Sequence, residues 1–132
     1  MLTPEKEVVV ADKAPAPIGP YSAGIRTGNL VFTAGQLGID RKTGELVVGG
    51  IEAETRQALM NIQYILESAG SSIQQVLKTT VFLRDMNEFG RMNAIYAEFF
   101  TANPPARSTV QVAALPKAGA VEIEAIALIV PS

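Results

Sequence analysis

A chain of 132 residues is the size of one domain and can bury a substantial core on its own. Its 11 basic and 13 acidic residues give a net charge of −2 with no long block of either sign, which leaves out the concentrated basic surface that electrostatic nucleic-acid binding requires. There is no cysteine and no histidine, so disulfides, thiolate nucleophiles, Cys- or His-ligated zinc and Ser-His-Asp hydrolysis are excluded, and catalysis must run on carboxylates, Arg, Lys, Tyr, hydroxyls or backbone amides.

The stretch Met1–Lys6 has no apolar core of signal-peptide length, and no membrane-length apolar run follows; a soluble, cytoplasmic protein is expected. Hydrophobic residues make up 48% of the chain and charged residues 18%, the latter below the ~25% usual for soluble domains. So apolar a small domain is expected to hide surface against copies of itself.

Glu7–Ala11 is short and β-branched, an outer strand. Lys13 to Pro20 holds Pro15, Pro17 and Pro20 and is therefore stiff and extended, delivering Tyr21. Ser22–Thr27, the tight pair Gly28-Asn29 and Leu30–Gln36 read as a β-hairpin. Gly35 interrupts its second strand, either as a bulge or as a place where a ligand approaches the main-chain N–H groups. Asp40–Glu45 is a polar turn, and Leu46-Val47-Val48 a brief extended piece.

Ile51–Ala69 has the clearest periodicity. Thr55, Ala58, Leu59, Ile62, Ile65, Leu66 and Ala69 form one helical stripe, with Glu52, Glu54, Arg56, Gln57, Asn61 and Glu67 assigned to the opposite side. Gly70 is placed as the residue that ends the helix. Val76–Leu83 is a β-branched strand. Glu88–Thr101 is a second helix, whose apolar side is Phe89, Met92, Ile95, Tyr96, Phe99 and Phe100, with Asn93 as its polar exception. Asn103-Pro104-Pro105 stops it.

Ala106–Val112 and Val121–Val130 are the last strands, joined by a turn around Leu115–Gly119. The order is three strands, helix, strand, helix, two strands, in one domain over 1–132. It predicts an α+β fold with a mixed six-stranded sheet and both helices on one face. Arg107, Thr109 and Gln111 share one face of their strand. At a strand mouth, Arg107 offers a planar fork of donors suited to a carboxylate, and Glu122 is an acid in an otherwise apolar run. If the last two strands form a hairpin, Arg107 falls opposite roughly Ile126. At ~3.3 Å per residue it then misses Glu122, so the two either bracket a cleft or belong to different subunits' contributions to one site.

Several segments together resemble the YjgF/Rid family of enamine/imine deaminases. They are Ile18-Gly19-Pro20-Tyr21-Ser22, Phe32–Gln36, Lys78–Leu83, Met92-Asn93 with Tyr96–Phe100, and Pro105–Ser108 with Glu122–Ala125. The presence of both Arg107 and Glu122 is similar to the archetypal deaminase branch. The resemblance implies a chorismate-mutase-like fold and a homotrimer with sites between subunits. It also implies hydrolysis of 2-aminoacrylate/2-iminopropanoate and 2-iminobutanoate to 2-keto acids and ammonia, with no metal or organic cofactor. By position, Arg107 would hold the substrate carboxylate, the Gly35 N–H would join it, Glu122 would position water, and Tyr21, Asn93 and Thr109 would line the cleft. Ala34 and Thr109 depart from the family's frequent serine and cysteine. Two other readings attach to the family: an endoribonuclease or translation inhibitor, for which no basic stripe or aromatic platform speaks here, and a non-catalytic carboxylate-binding or chaperone-like trimer.

Overall fold

Local chemistry sets the first half of the sheet. In the structure, a computed structural model that describes residues 5–130, β1 (Glu7–Val9) pairs antiparallel with β2 (Gly24–Thr27), and β2 with β3 (Leu30–Thr33). The turn between β2 and β3 has Gly28 at φ 56, a conformation that glycine adopts without cost. Residues 1–4, part of the N-terminal stretch discussed above, and residues 131–132 lie outside the described residues.

The six predicted strands become seven because the third is broken at Ala34-Gly35. The chain resumes as β4 (Gln36–Leu37), which pairs with Glu122 and Ile123. At the break the Thr33 hydroxyl replaces a lost ladder partner, accepting the Ala125 N–H at 3.0 Å. The polar turn forms as predicted: Asp40 and Glu45 close it through the backbone, and Asp40 Oδ1 accepts the Lys42 N–H at 2.8 Å.

Helix α1 (Gly50–Ser68) buries its whole predicted stripe. It ends as expected, with Gly70 at φ 87, its N–H on the Glu67 carbonyl and the Ser71 N–H on that of Leu66. Two residues assigned to its solvent side are instead buried. Glu54 accepts the Ala120 N–H at 2.8 Å, and Asn61 donates to the carbonyls of Leu37 and Ile39 while accepting from Gln57. Both are polar because they satisfy backbone groups where irregular chain crosses the helix.

β5 (Val76–Leu83), α2 (Phe89–Phe99), β6 (Ala106–Gln111) and β7 (Val121–Leu128) complete the fold. The strand order is β1-β2-β3-β7-β5-β6, with β4 also against β7. The expected pairing of the last two strands is not formed. β6 runs parallel to β5, as a crossover through α2 permits, and β5 lies between β6 and β7. Arg107 therefore stands beside Thr79, not opposite Ile126. Both helices cover one face, where Val31, Val81, Leu83, Val121 and Ile123 meet Leu59, Ile62, Ile65 and Leu66. Among the described residues no helix is long and apolar enough to cross a membrane.

Replacing Asn61 by alanine leaves the buried Leu37 carbonyl and the partly buried Ile39 carbonyl without this donor. A loss of about 1–3 kcal/mol of unfolding free energy is expected in urea denaturation.

Candidate active site

The sheet register sorts the candidate residues onto its two faces. Thr79 is flanked by Arg107 and Ala125, and Phe82 by Val110 and Glu122. Side chains alternate along a strand, and the odd, three-residue offset from Glu122 to Ala125 puts Arg107 and Glu122 on opposite faces. They are also about 10 Å apart along the strands and two strand spacings across. Arg107, Thr109 and Asn93 gather on the helix side; Glu122, Gly35 and Tyr21 gather at a cleft on the other. One protomer does not bring the six together.

On the helix side Arg107 is held firmly by neutral groups. Its Nη1 donates to Asn93 Oδ1 at 2.7 Å, and its guanidinium carbon lies 4.6 Å from the Tyr96 ring centre and 5.4 Å from that of Phe89. Such cation–π contacts stabilise by about 0.5–2 kcal/mol each, more as water is excluded. The Tyr96 hydroxyl shares a 2.7 Å hydrogen bond with Thr79 Oγ1, which fixes the ring. Burial pushes the Tyr96 phenol above its ordinary value, while Thr79 and the Arg107 charge pull it back. Phe89, Asn93 and Tyr96 recur at helical spacing, so one face of α2 makes the whole clamp. The periodicity assigned Phe89 and Tyr96 to the core; their spacing from Asn93 is the signal that would have tied them to Arg107.

The fork keeps most of its donors. Arg26, Arg56, Arg84 and Arg91 each pair with a glutamate, whereas Arg107 has no carboxylate partner among the described residues. Two positions along the same face, Thr109 Oγ1 is buried without a hydrogen-bond partner among those residues. A buried hydroxyl left unpaired is costly unless something outside the chain completes it.

On the other face a cleft of about 920 Å³ is walled by Pro17, Ile18, Tyr21, Leu37 and Ile39, with Gly35 and Glu122 among its lining residues. Tyr21 stands half in solvent, its hydroxyl accepting the Ile18 N–H at 3.3 Å. Gly35 has a steric reason to be glycine: a Cβ there would sit 2.7 Å from Glu122 Cδ. The bulge and the close approach are thus one feature. Among the described residues the Gly35 N–H has no backbone acceptor. Burial raises the Glu122 carboxyl above the ordinary carboxylate value, and Glu124, two residues along the same face, raises it further. Arg41 and Lys117 also line this cleft, and sequence reasoning gave neither a role.

The model of the family described as Endoribonuclease L-PSP matches residues 11–129. The chain belongs to this family. It is the YjgF family that the sequence motifs resemble. A RutC family protein of Pyrococcus horikoshii is 56% identical over 122 residues, 92% of this chain and 97% of that protein. A relative in Mus musculus, 2-iminobutanoate/2-iminopropanoate deaminase, is 48% identical over 123 residues, 93% of this chain and 91% of that protein. The crystal structure of Escherichia coli TdcF with bound serine superposes with a TM-score of 0.89 at 41% identity, covering 92% of this chain and 98% of that one.

The raised Glu122 carboxyl gives a stability prediction. The folded state binds that proton more tightly than the unfolded chain, so stability falls as pH rises from the ordinary carboxylate value through the raised one. Glu122→Gln is expected to be more stable than the parent above that window, with the difference closing below it, in urea denaturation at a series of pH values.

Proposed function

We propose that this chain is a hydrolytic deaminase of 2-imino acids such as 2-iminopropanoate and 2-iminobutanoate, working in a homotrimer whose sites are each shared by two copies. The observation that carries this reading is the state of Arg107: clamped by Tyr96, Phe89 and Asn93, yet matched to no carboxylate among the described residues. A fixed cation with free donors is a receptor for an anion. The deaminase named in mouse and the serine-bound relative in Escherichia coli support a small amino-acid-like ligand.

Arg107 and Glu122 serve one substrate only if a second copy brings its helix-side rim to the cleft of the first. The open sheet face supplies a reason to associate, since it exposes Phe32 and Val110 beside Phe82 and Ile126. A cyclic arrangement repeats that contact and closes. In the shared site, Arg107 and Thr109 of one copy and the Gly35 N–H of the other hold the carboxylate, which orients the imine carbon. Glu122 directs a water to it: the water oxygen bonds to carbon as its proton passes to the carboxylate or the nitrogen. The carbinolamine then loses ammonia, and its hydroxyl becomes the keto oxygen. A protonated imine is already electrophilic, so the carboxylate has only protons to move, a contribution of about 10²–10⁴-fold. No step calls on the histidine and cysteine that the chain lacks.

The test generates 2-iminopropanoate with an amino-acid oxidase and follows its disappearance by semicarbazide trapping. Arg107→Ala and Glu122→Gln are each expected to lose at least about 10²-fold in rate while remaining folded. Co-assembled one to one, the two variants recover about a quarter of the parent's sites, because a quarter pair an intact Arg107 with an intact Glu122 across the contact. No recovery in mixed assemblies would sink the shared site; keto-acid binding without turnover would favour a non-catalytic carboxylate-binding role.

A further inference from the structure

The chain has six arginines, and four of them are matched to glutamates. The two without a carboxylate among the described residues are Arg107 and Arg41, and Arg41 lines the cleft that holds Glu122 and Gly35. Lys117 lines the same cleft. Its Nζ approaches Glu45 at 3.8 Å, an exposed pair like that of Arg26 with Glu7, and such pairs contribute little. Lys117 is also strained. It and Ala118 stand at φ 57 and φ 56, consecutive non-glycine residues in the left-handed region, which costs of order 1 kcal/mol or more at each. The turn has glycine one residue later, at Gly119, where φ is −62 and no left-handed backbone is needed. A lysine thus occupies the position where glycine would relieve the strain, at the lip of the candidate site.

Within one protomer, before a second copy covers it, the cleft has a volume of about 920 Å³. Its walls beyond Glu122 are apolar, from Pro17, Ile18, Leu37 and Ile39, and two cations line it as well.

We infer that Arg41 and Lys117 form a second anion subsite, which gives this site a preference for imino acids whose side chain ends in a carboxylate. This rests on the deaminase reading above and narrows its substrate class. The α-carboxylate goes to Arg107 of one copy, the apolar walls of the other take the methylenes, and the distal carboxylate meets the two cations that line the cleft.

The experiment measures binding of three stable keto acids by calorimetry to the assembled protein: pyruvate, 2-oxopentanoate and 2-oxoglutarate. The last two have the same carbon skeleton and differ in the terminal carboxylate. The parent is expected to bind 2-oxoglutarate about tenfold or more tightly than 2-oxopentanoate. In the Arg41→Gln/Lys117→Gln double variant that ratio is expected to fall to about one. Lys117→Gly, which removes the charge and relaxes the turn, separates the two roles: the ratio falls while thermal stability holds or rises. A ratio near one in the parent, or one unchanged in the double variant, overturns the subsite. Failure of the underlying reading looks different: either pyruvate does not bind and Arg107→Ala changes nothing, or the keto acids bind while 2-iminopropanoate is not turned over.

Discussion

Side chains alternate across a β-strand, and in this sheet that alternation sets the cation and the acid of the candidate site on opposite faces. The register leaves no freedom: Arg107 shares its row with Thr79 and Ala125, Glu122 with Phe82 and Val110. A one-residue slip of β7 would bring Glu122 to the helix side but would turn Val121, Ile123 and Ala125 out of the core, and those residues are buried. The hydrophobic pattern of β7 and the separation of the two functional groups are therefore one constraint. A site that uses both groups, as proposed, has to be completed from outside the protomer.

Each half of the proposed site is ordered within the protomer. Arg107 gives up one donor to Asn93 and packs against two aromatic rings, which restrains it and leaves its remaining donors unused by carboxylates among the described residues. The Thr79–Tyr96 hydrogen bond carries that order back into the sheet. Around Glu122 the order comes from backbone. The break after β3 removes a ladder partner, Thr33 replaces it on Ala125, and the glycine at the break lets the carboxylate lie against the main chain. The interruption that weakens β3 as a strand is what makes room for the acid.

Much of this was legible in the residue pattern. The stripe from Thr55 to Ala69, the glycine that ends it, the β-branched run of β5 and the aromatic side of α2 follow from periodicity, because a stripe must be buried whatever covers it. Glu54 and Asn61 were misplaced for the same reason: periodicity sees polarity, and polarity here serves backbone groups arriving from residues 37, 39 and 120. The partner of β6 was also beyond reach. A short connection between β6 and β7 suggests a hairpin, yet the crossover through α2 puts β6 beside β5, and the two alternatives have the same alternation. The separation of Arg107 and Glu122 was visible as a distance along the strands; the opposition of faces needed the register. The clamp on Arg107 was hidden because Tyr96 and Phe89 do two jobs, and a core reading accounts for both rings.

Assembly and acid strength are coupled in the proposed site. Burial is the larger cause of the raised Glu122 carboxyl within one protomer, with the Glu124 charge second. A second copy laid over the open face would remove more water from Glu122, which favours its acid form further, while the approaching Arg107 guanidinium would favour the carboxylate. A bound substrate carboxylate then neutralises that guanidinium and shifts the balance back toward the acid. In such a site the proton affinity of Glu122 rises when substrate arrives and falls when product leaves. The rise suits a group that takes a proton from the attacking water, and the fall, which follows the departure of ammonia, resets it for the next turn. In the proposed site a chain without histidine thus draws its proton carrier from a carboxylate, an apolar sheet face and a neighbour's arginine.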